Sequence, residues 1–320
     1  DFIPLLVGII FLKIKSYYLA QEVNLGDVFM DKIKIRNINL LLMIVLPLTF
    51  LMVSPLSHVL MFIAIQVWAR RNDMKLRDFL YFNKTKASIV LLSILIGALL
   101  AFMNFFNHFY FRVDIDFLGK SQLSSLSAFW FLLIFCIFGP IVEELFFRGL
   151  LYNFYKKKGI LTAVILSSVF FSIFHYDLHR IILIFIMGVF LALLYEITQC
   201  FWIPVIVHGS INGIHTLIVL QPIAGFLKEF LYWLHGDNVW LFRIKLLLIS
   251  IVLFMLAMSV VFLIMRICGN NIFEGRKIKD LISISKNDDE PLIDRNLILV
   301  FVICIILIVS VAFSSKLDWY

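Results

Sequence analysis

Charge is scarce in this chain of 320 residues: only 15% are Asp, Glu, Lys or Arg, against about 25% in soluble domains. Too few charges remain to solvate a globular surface, which excludes an ordinary soluble enzyme or binding domain. Proline and glycine are also few, at seven and 14, and that excludes a linker-rich or disordered chain. The four cysteines, Cys136, Cys200, Cys268 and Cys304, form no C-x-x-C pair and lie mostly in or beside apolar runs. Neither a disulfide framework nor a cysteine metal site follows from that pattern.

What the chain holds in quantity is apolar: 62% of residues, including 34 phenylalanines. Runs of about 20 such residues cross a bilayer as helices. The expected fold is therefore all-α, a polytopic transmembrane helix bundle of eight or nine spans in the cell membrane, with the lipid bilayer as a partner. N-terminal spans and loops occupy 1–124, a core occupies 125–220, and C-terminal helices occupy 221–320. Within the last region the mixed-charge loop 268–295 is read as a solvated connector. Phe2–Leu12 is about half the length of a span. The run from Asn39 to Ala69 is broken at Ser54-Pro55, giving one bent span or two short ones. Further spans are expected over Ala87–Phe106, Ile160–Phe174, Ile181–Ile197, Phe201–Leu220, Phe242–Ile267 and Asn296–Phe313, with Pro222–Leu241 suited to the interface. The net charge of +7 follows this organisation. Basic residues gather in short loops, Arg70–Lys86 and Lys156–Lys158, which marks both as inside and implies no nucleic-acid partner.

One apolar run breaks the rule. Gly139-Pro140-Ile141-Val142-Glu143-Glu144-Leu145-Phe146-Phe147-Arg148-Gly149 sets three ionisable groups at membrane depth. Each costs about 2.5–3.5 kcal/mol at the bilayer centre if unpaired. Glu144 and Arg148 are four apart, acid first, and share a helix face in the favourable order. Glu143 lies about 100° round the helix and has no such partner, so it reads as functional. His175, His208 and Asn212 are the other polar groups at depth, with His208 and Asn212 four apart on one face and Phe171 one turn before His175. Counted from the lysine turn at ~1.5 Å per residue, Glu143 and His175 lie about 20 and 25 Å up adjacent helices, while His208 comes out shallower. A carboxylate and imidazoles at one depth are what proton transfer to and from water requires. His58, His108, His215 and His235 have no comparable setting and are read as structural.

These residues form three patterns in series: Glu143-Glu144-Leu145-Phe146-Phe147-Arg148, Phe171-Ser172-Ile173-Phe174-His175 and His208-Gly209-Ser210-Ile211-Asn212. Together they resemble the E-E-x-x-x-R, F-x-x-x-H and H-x-x-x-N patterns of the CPBP intramembrane protease family. That family includes type II CAAX prenyl proteases, bacteriocin-processing and immunity proteins, and the Abi proteins. The resemblance covers about Ser125 to Leu220. It implies peptide-bond hydrolysis within the membrane, on a peptide or membrane-protein substrate. By the same resemblance, Glu143 activates water, His175 assists as base, His208 and Asn212 form an oxyanion hole, and Glu144 and Arg148 orient and neutralise the site. No cofactor is expected, with Zn²⁺ on Glu143, His175 and His208 as the alternative. Composition hints at a low-GC bacterium, and in that setting the resemblance points to peptide maturation or bacteriocin self-immunity. A catalytically silent scaffold or regulator and a proton-coupled transporter are the competing classes; no internal repeat of the transporter kind is visible.

Overall fold

A computed structural model describes residues 35–50, 56–111, 125–178, 180–220, 223–269 and 295–317. The apolar run Phe2–Leu12, the Ser54-Pro55 break and nearly all of loop 268–295 lie outside them. Among the described residues there are ten helices and no strand. They are α1 (Ile35–Phe50), α2 (Leu56–Arg71), α3 (Ala87–Phe111), α4 (125–158), α5 (Ile160–Phe174), α6 (Ile181–Thr198), α7 (Trp202–Leu220), α8 (Ile223–His235), α9 (Val239–Cys268) and α10 (Arg295–Leu317).

Among the described residues, four helices are long and apolar enough to cross a membrane: Ala87–Phe111, Phe129–Lys158, Ile181–Thr198 and Val239–Cys268. Shorter apolar helices cover Asn37–Phe50, Ile160–Phe174 and Arg295–Leu307. Large apolar side chains stand exposed along α9, among them Leu248, Val252 and Met255. Such a face suits lipid and would be a liability in water. The charged ends agree with this: Arg70 and Arg71 close α2, and Lys156–Lys158 close α4. Gly159, at φ 108, then turns the chain into α5, a conformation that a side chain would resist.

Two features position the interior. First, α4 is not a uniform helix. It widens into π turns over Leu133–Phe138 and again over Leu145–Tyr152, with a short α segment, Gly139–Glu144, between them. The Gly139 N–H bonds to the carbonyl of Ile134, five residues back. The next carbonyl in that register, Phe135, faces Pro140, which has no N–H to give. Second, the segment after α2 folds inward. Its short turn Leu76–Phe79 carries a buried Phe79, and residues 81–83 hydrogen-bond to residues 199–201 through Phe201 N–H to Tyr81 O and Asn83 N–H to Gln199 O. Asn153 of α4 donates to Phe79 O and Tyr195 Oη of α6. The bundle therefore has an inner floor above the lysine turn. Away from the site, Phe105, Phe106 and Phe109 of α3 pack with Leu227 and Leu231 of α8 and Phe242 and Leu246 of α9 in a separate apolar cluster.

Candidate active site

The α segment of α4 between its two π turns carries Gly139, Pro140, Glu143 and Glu144, all buried. Widened turns are common where a helix re-aims side chains at a functional site. Glu144 is wholly enclosed. Its Oε1 accepts Arg148 Nη1 at 3.0 Å and His208 Nδ1 at 2.8 Å. Arg148 is equally enclosed, and its second arm donates from Nη2 to the carbonyl of Gly188 on α6 at 3.1 Å. That carbonyl is reachable because α5 and α6 pack closely here: a Cβ on Gly188 would stand 3.0 Å from the Ser168 backbone. The i, i+4 pair expected between Glu144 and Arg148 is formed.

Phe171 ties the three motifs together. The Arg148 guanidinium lies 4.4 Å from its ring centroid, the His175 ring 4.7 Å and the His208 ring 5.5 Å. One aromatic thus supplies a cation–π face and edge-to-face contacts at once. Its own carbonyl accepts the His175 Nδ1–H at 2.8 Å.

Glu143 is where the structure departs from expectation. It is not partnerless: His58 Nε2 of α2 lies 2.8 Å from its Oε1, both side chains being nearly buried. His58, expected to be structural, contacts Glu143 of the candidate site. The within-helix spacings could not expose it, because it comes from another helix 85 residues away. The remaining signal was a histidine embedded in an apolar helix. His215 bonds instead to α3, its Nε2 donating to the Ala101 carbonyl at 3.1 Å.

The other Glu143 oxygen, Oε2, is buried and has no hydrogen-bond partner. His175 Nε2 stands 3.8 Å from it and His208 Nε2 3.9 Å. Because a carbonyl and a carboxylate hold the two Nδ1 atoms, and both can only accept, those nitrogens carry the protons. His175 and His208 therefore both turn their Nε2 atoms to the space beside Glu143. One ligand atom from each of the three residues lies within 4.8 Å of the others. His175 is the open member, its side chain 30% exposed against 2% for His208. Five of the six expected residues, Glu143, Glu144, Arg148, His175 and His208, thus meet directly. Asn212 stands one turn beyond His208, and its Nδ2 donates to Phe135 O at 2.8 Å, the carbonyl left over by Pro140. The close approach of α7 to α4 that allows this depends on Gly209, where a Cβ would fall 2.6 Å from the Cys136 carbonyl oxygen.

An all-helical apolar bundle enclosing two glutamates, an arginine and three histidines defines a polar site at membrane depth. Residues 125–214 match the family described as type II CAAX prenyl endopeptidase Rce1-like. Among bacterial relatives, the membrane peptidase YdiL of Bacillus subtilis is 33% identical over 99 residues, 31% of this chain and 41% of that protein. The membrane-embedded CAAX protease MroQ of Staphylococcus aureus is 34% identical over 102 residues, 29% of this chain and 41% of the relative. The UPF0177 protein YaiH of Lactococcus lactis is 36% identical over 94 residues, 28% and 39% of the two chains. The matched region thus spans about two fifths of the length of these relatives. No solved structure matches the chain.

Proposed function

We propose that the protein is an intramembrane endopeptidase. The observation that carries this reading is the buried, unpartnered Oε2 of Glu143, faced by two imidazole nitrogens at 3.8 and 3.9 Å. A water at hydrogen-bond distance, ~2.8 Å, can bridge groups at those separations. Glu143 and His175 accept its proton as its oxygen bonds to the scissile carbonyl carbon, and the proton then passes to the leaving amine. Glu143 and Glu144 carry two negative charges and Arg148 one positive, so one protonated imidazole makes the cluster neutral. His208, backed by Glu144 at Nδ1, is suited to carry it, and its Nε2–H then donates to the developing oxyanion. Asn212 has two amide N–H groups, so its bond to Phe135 leaves one for the same oxyanion. Access runs past His175, the exposed member.

Zn²⁺ is the second reading, because Glu143, His175 and His208 would hold it and it would supply an activated water. Metal bonds of ~2.0–2.1 Å at tetrahedral angles set ligand atoms only ~3.4 Å apart, so the three groups would have to close in. Hydrogen bonds to a water need no such movement, and we take the mechanism as free of a cofactor. Elemental analysis and exhaustive chelation test this: activity should survive chelation. One zinc per chain, with activity lost on stripping and restored on readdition, would rewrite the three residues as ligands.

The substrate in this reading is a peptide or the end of a membrane-bound protein, in bacterial peptide maturation or bacteriocin self-immunity. The bacterial relatives and the Phe- and Ile-rich composition favour that setting. With α1, α2, α5, α7 and α10 also crossing, the bundle has nine spans. Purified protein in liposomes, given a panel of membrane-anchored peptides and read by mass spectrometry, tests the activity. Cleavage by the wild type should vanish in both His175→Ala and His208→Ala. Turnover that persists in both variants would exclude the peptidase reading.

A further inference from the structure

Glu143 can present Oε2 to His175 and His208 only if its carboxylate is held in one orientation. The terminal torsion of a glutamate is broad and roughly twofold, so the helix backbone alone does not hold it. Within residues 125–214, no hydrogen bond to either Glu143 oxygen is present among the described residues. The bond that exists comes from α2: His58 Nε2 to Oε1 at 2.8 Å. A carboxylate only accepts, so this nitrogen carries the proton.

The surroundings of His58 are shaped for that contact. Gly139 lies four residues before Glu143, on the same face of α4. A Cβ there would stand 3.3 Å from His58 Nε2 and 3.2 Å from the Ile134 carbonyl oxygen. Glycine thus opens the gap through which the imidazole reaches the carboxylate. Phe174, the residue before His175, meets the His58 ring edge-on, with centroids 6.1 Å apart at 82°. The imidazole is held between α4 and the end of α5.

We propose that His58 is a positioning residue for Glu143. It engages Oε1 so that Oε2 faces the two catalytic imidazoles, and α2, outside the Rce1-like match, is thereby part of the working site. This rests on the peptidase reading. Displacing a reacting group by about 1 Å, or removing a partner that orients one, costs roughly 10- to 100-fold. The expectation is a fall of that size in kcat for His58→Phe, which keeps the ring and loses the N–H, with KM little changed. His58→Gln, which can return an N–H to Oε1, should recover most of the loss.

The experiment measures kcat and KM in liposomes on a peptide that the wild type cleaves and Glu143→Gln does not. Each variant is first checked for monodisperse elution and an unchanged thermal midpoint. Low kcat in His58→Phe with recovery in His58→Gln supports the proposal. Full turnover in His58→Phe, or no recovery in a folded His58→Gln, overturns it and leaves the peptidase reading intact. Absence of any peptide cleaved by the wild type overturns both.

Discussion

Two polar clusters in this bundle use the same residue type in opposite ways. Toward the lysine turn, one oxygen of Glu196 takes three donors: Tyr152 Oη at 2.9 Å, Lys156 Nζ at 2.7 Å and Gln199 Nε2 at 3.1 Å. Deeper in, Glu143 takes one donor on Oε1 and leaves Oε2 without any. A carboxylate surrounded by donors is fixed and holds helices together. A buried carboxylate with an open oxygen near two imidazole Nε2 atoms retains the capacity to accept a proton, which is the use the proposed function gives it. Glu144 stands between the two: its Oε1 is shared by Arg148 and His208, while its Oε2, like that of Glu143, is buried without a hydrogen-bond partner.

The largest expected effect on stability follows from breaking the buried ion pair of Glu144 and Arg148. Arg148 is fully buried, and Arg148→Ala strands Glu144. Removing one partner of a buried pair costs about 3–5 kcal/mol. Thermal unfolding in detergent should show a clear drop, with activity lost as well, since His208 loses its fixed backing. An unchanged midpoint would mean that water already reaches Glu144. The smallest effect is expected at the other cluster. Lys156 is 27% exposed, whereas its partner Glu196 is 10% exposed. Glu196→Gln keeps an oxygen acceptor but loses the charge, so it should cost about 1–3 kcal/mol and leave cleavage unchanged; a loss of cleavage would tie the inner floor to the chemistry.

How far the site could be read from sequence depended on whether a feature lay within one helix. Glu144–Arg148 and Phe171–His175 each pair through a fixed four-residue spacing, and both pairs are in place. The bounds Ile160–Phe174 were legible because a lysine turn and a polar segment flank the run. Helix α3 runs five residues past the expected end at Phe106, because Phe109 packs into the cluster with α8 and α9. His58 was illegible, since nothing in the spacing of α2 refers to α4. The depth of His208 was misjudged for a different reason. It was counted as though α7 began near the membrane face, whereas Leu80 packs against Gly149 and Phe82 bridges to Cys200. Gly149 is nine residues above Lys158, about 14 Å, and His208 is eight beyond Cys200, about 12 Å. The raised floor therefore brings His208 level with Glu143. Asn212 carried a further surprise: its bond to Phe135 answers a carbonyl left free by Pro140, a debt that only the π register of α4 reveals.

The most direct measurement compares Glu143→Gln with Glu144→Gln in the same liposomes, reading cleavage and thermal midpoint together. Glu143→Gln keeps an acceptor for His58 but removes the proton-accepting oxygen. It should lose about 10²–10⁴ in turnover while its midpoint stays near that of the wild type. Glu144→Gln should lower the midpoint, because Arg148 is left without its counter-charge. Near-normal turnover in a folded Glu143→Gln would contradict the assignment of Glu143 as the working carboxylate.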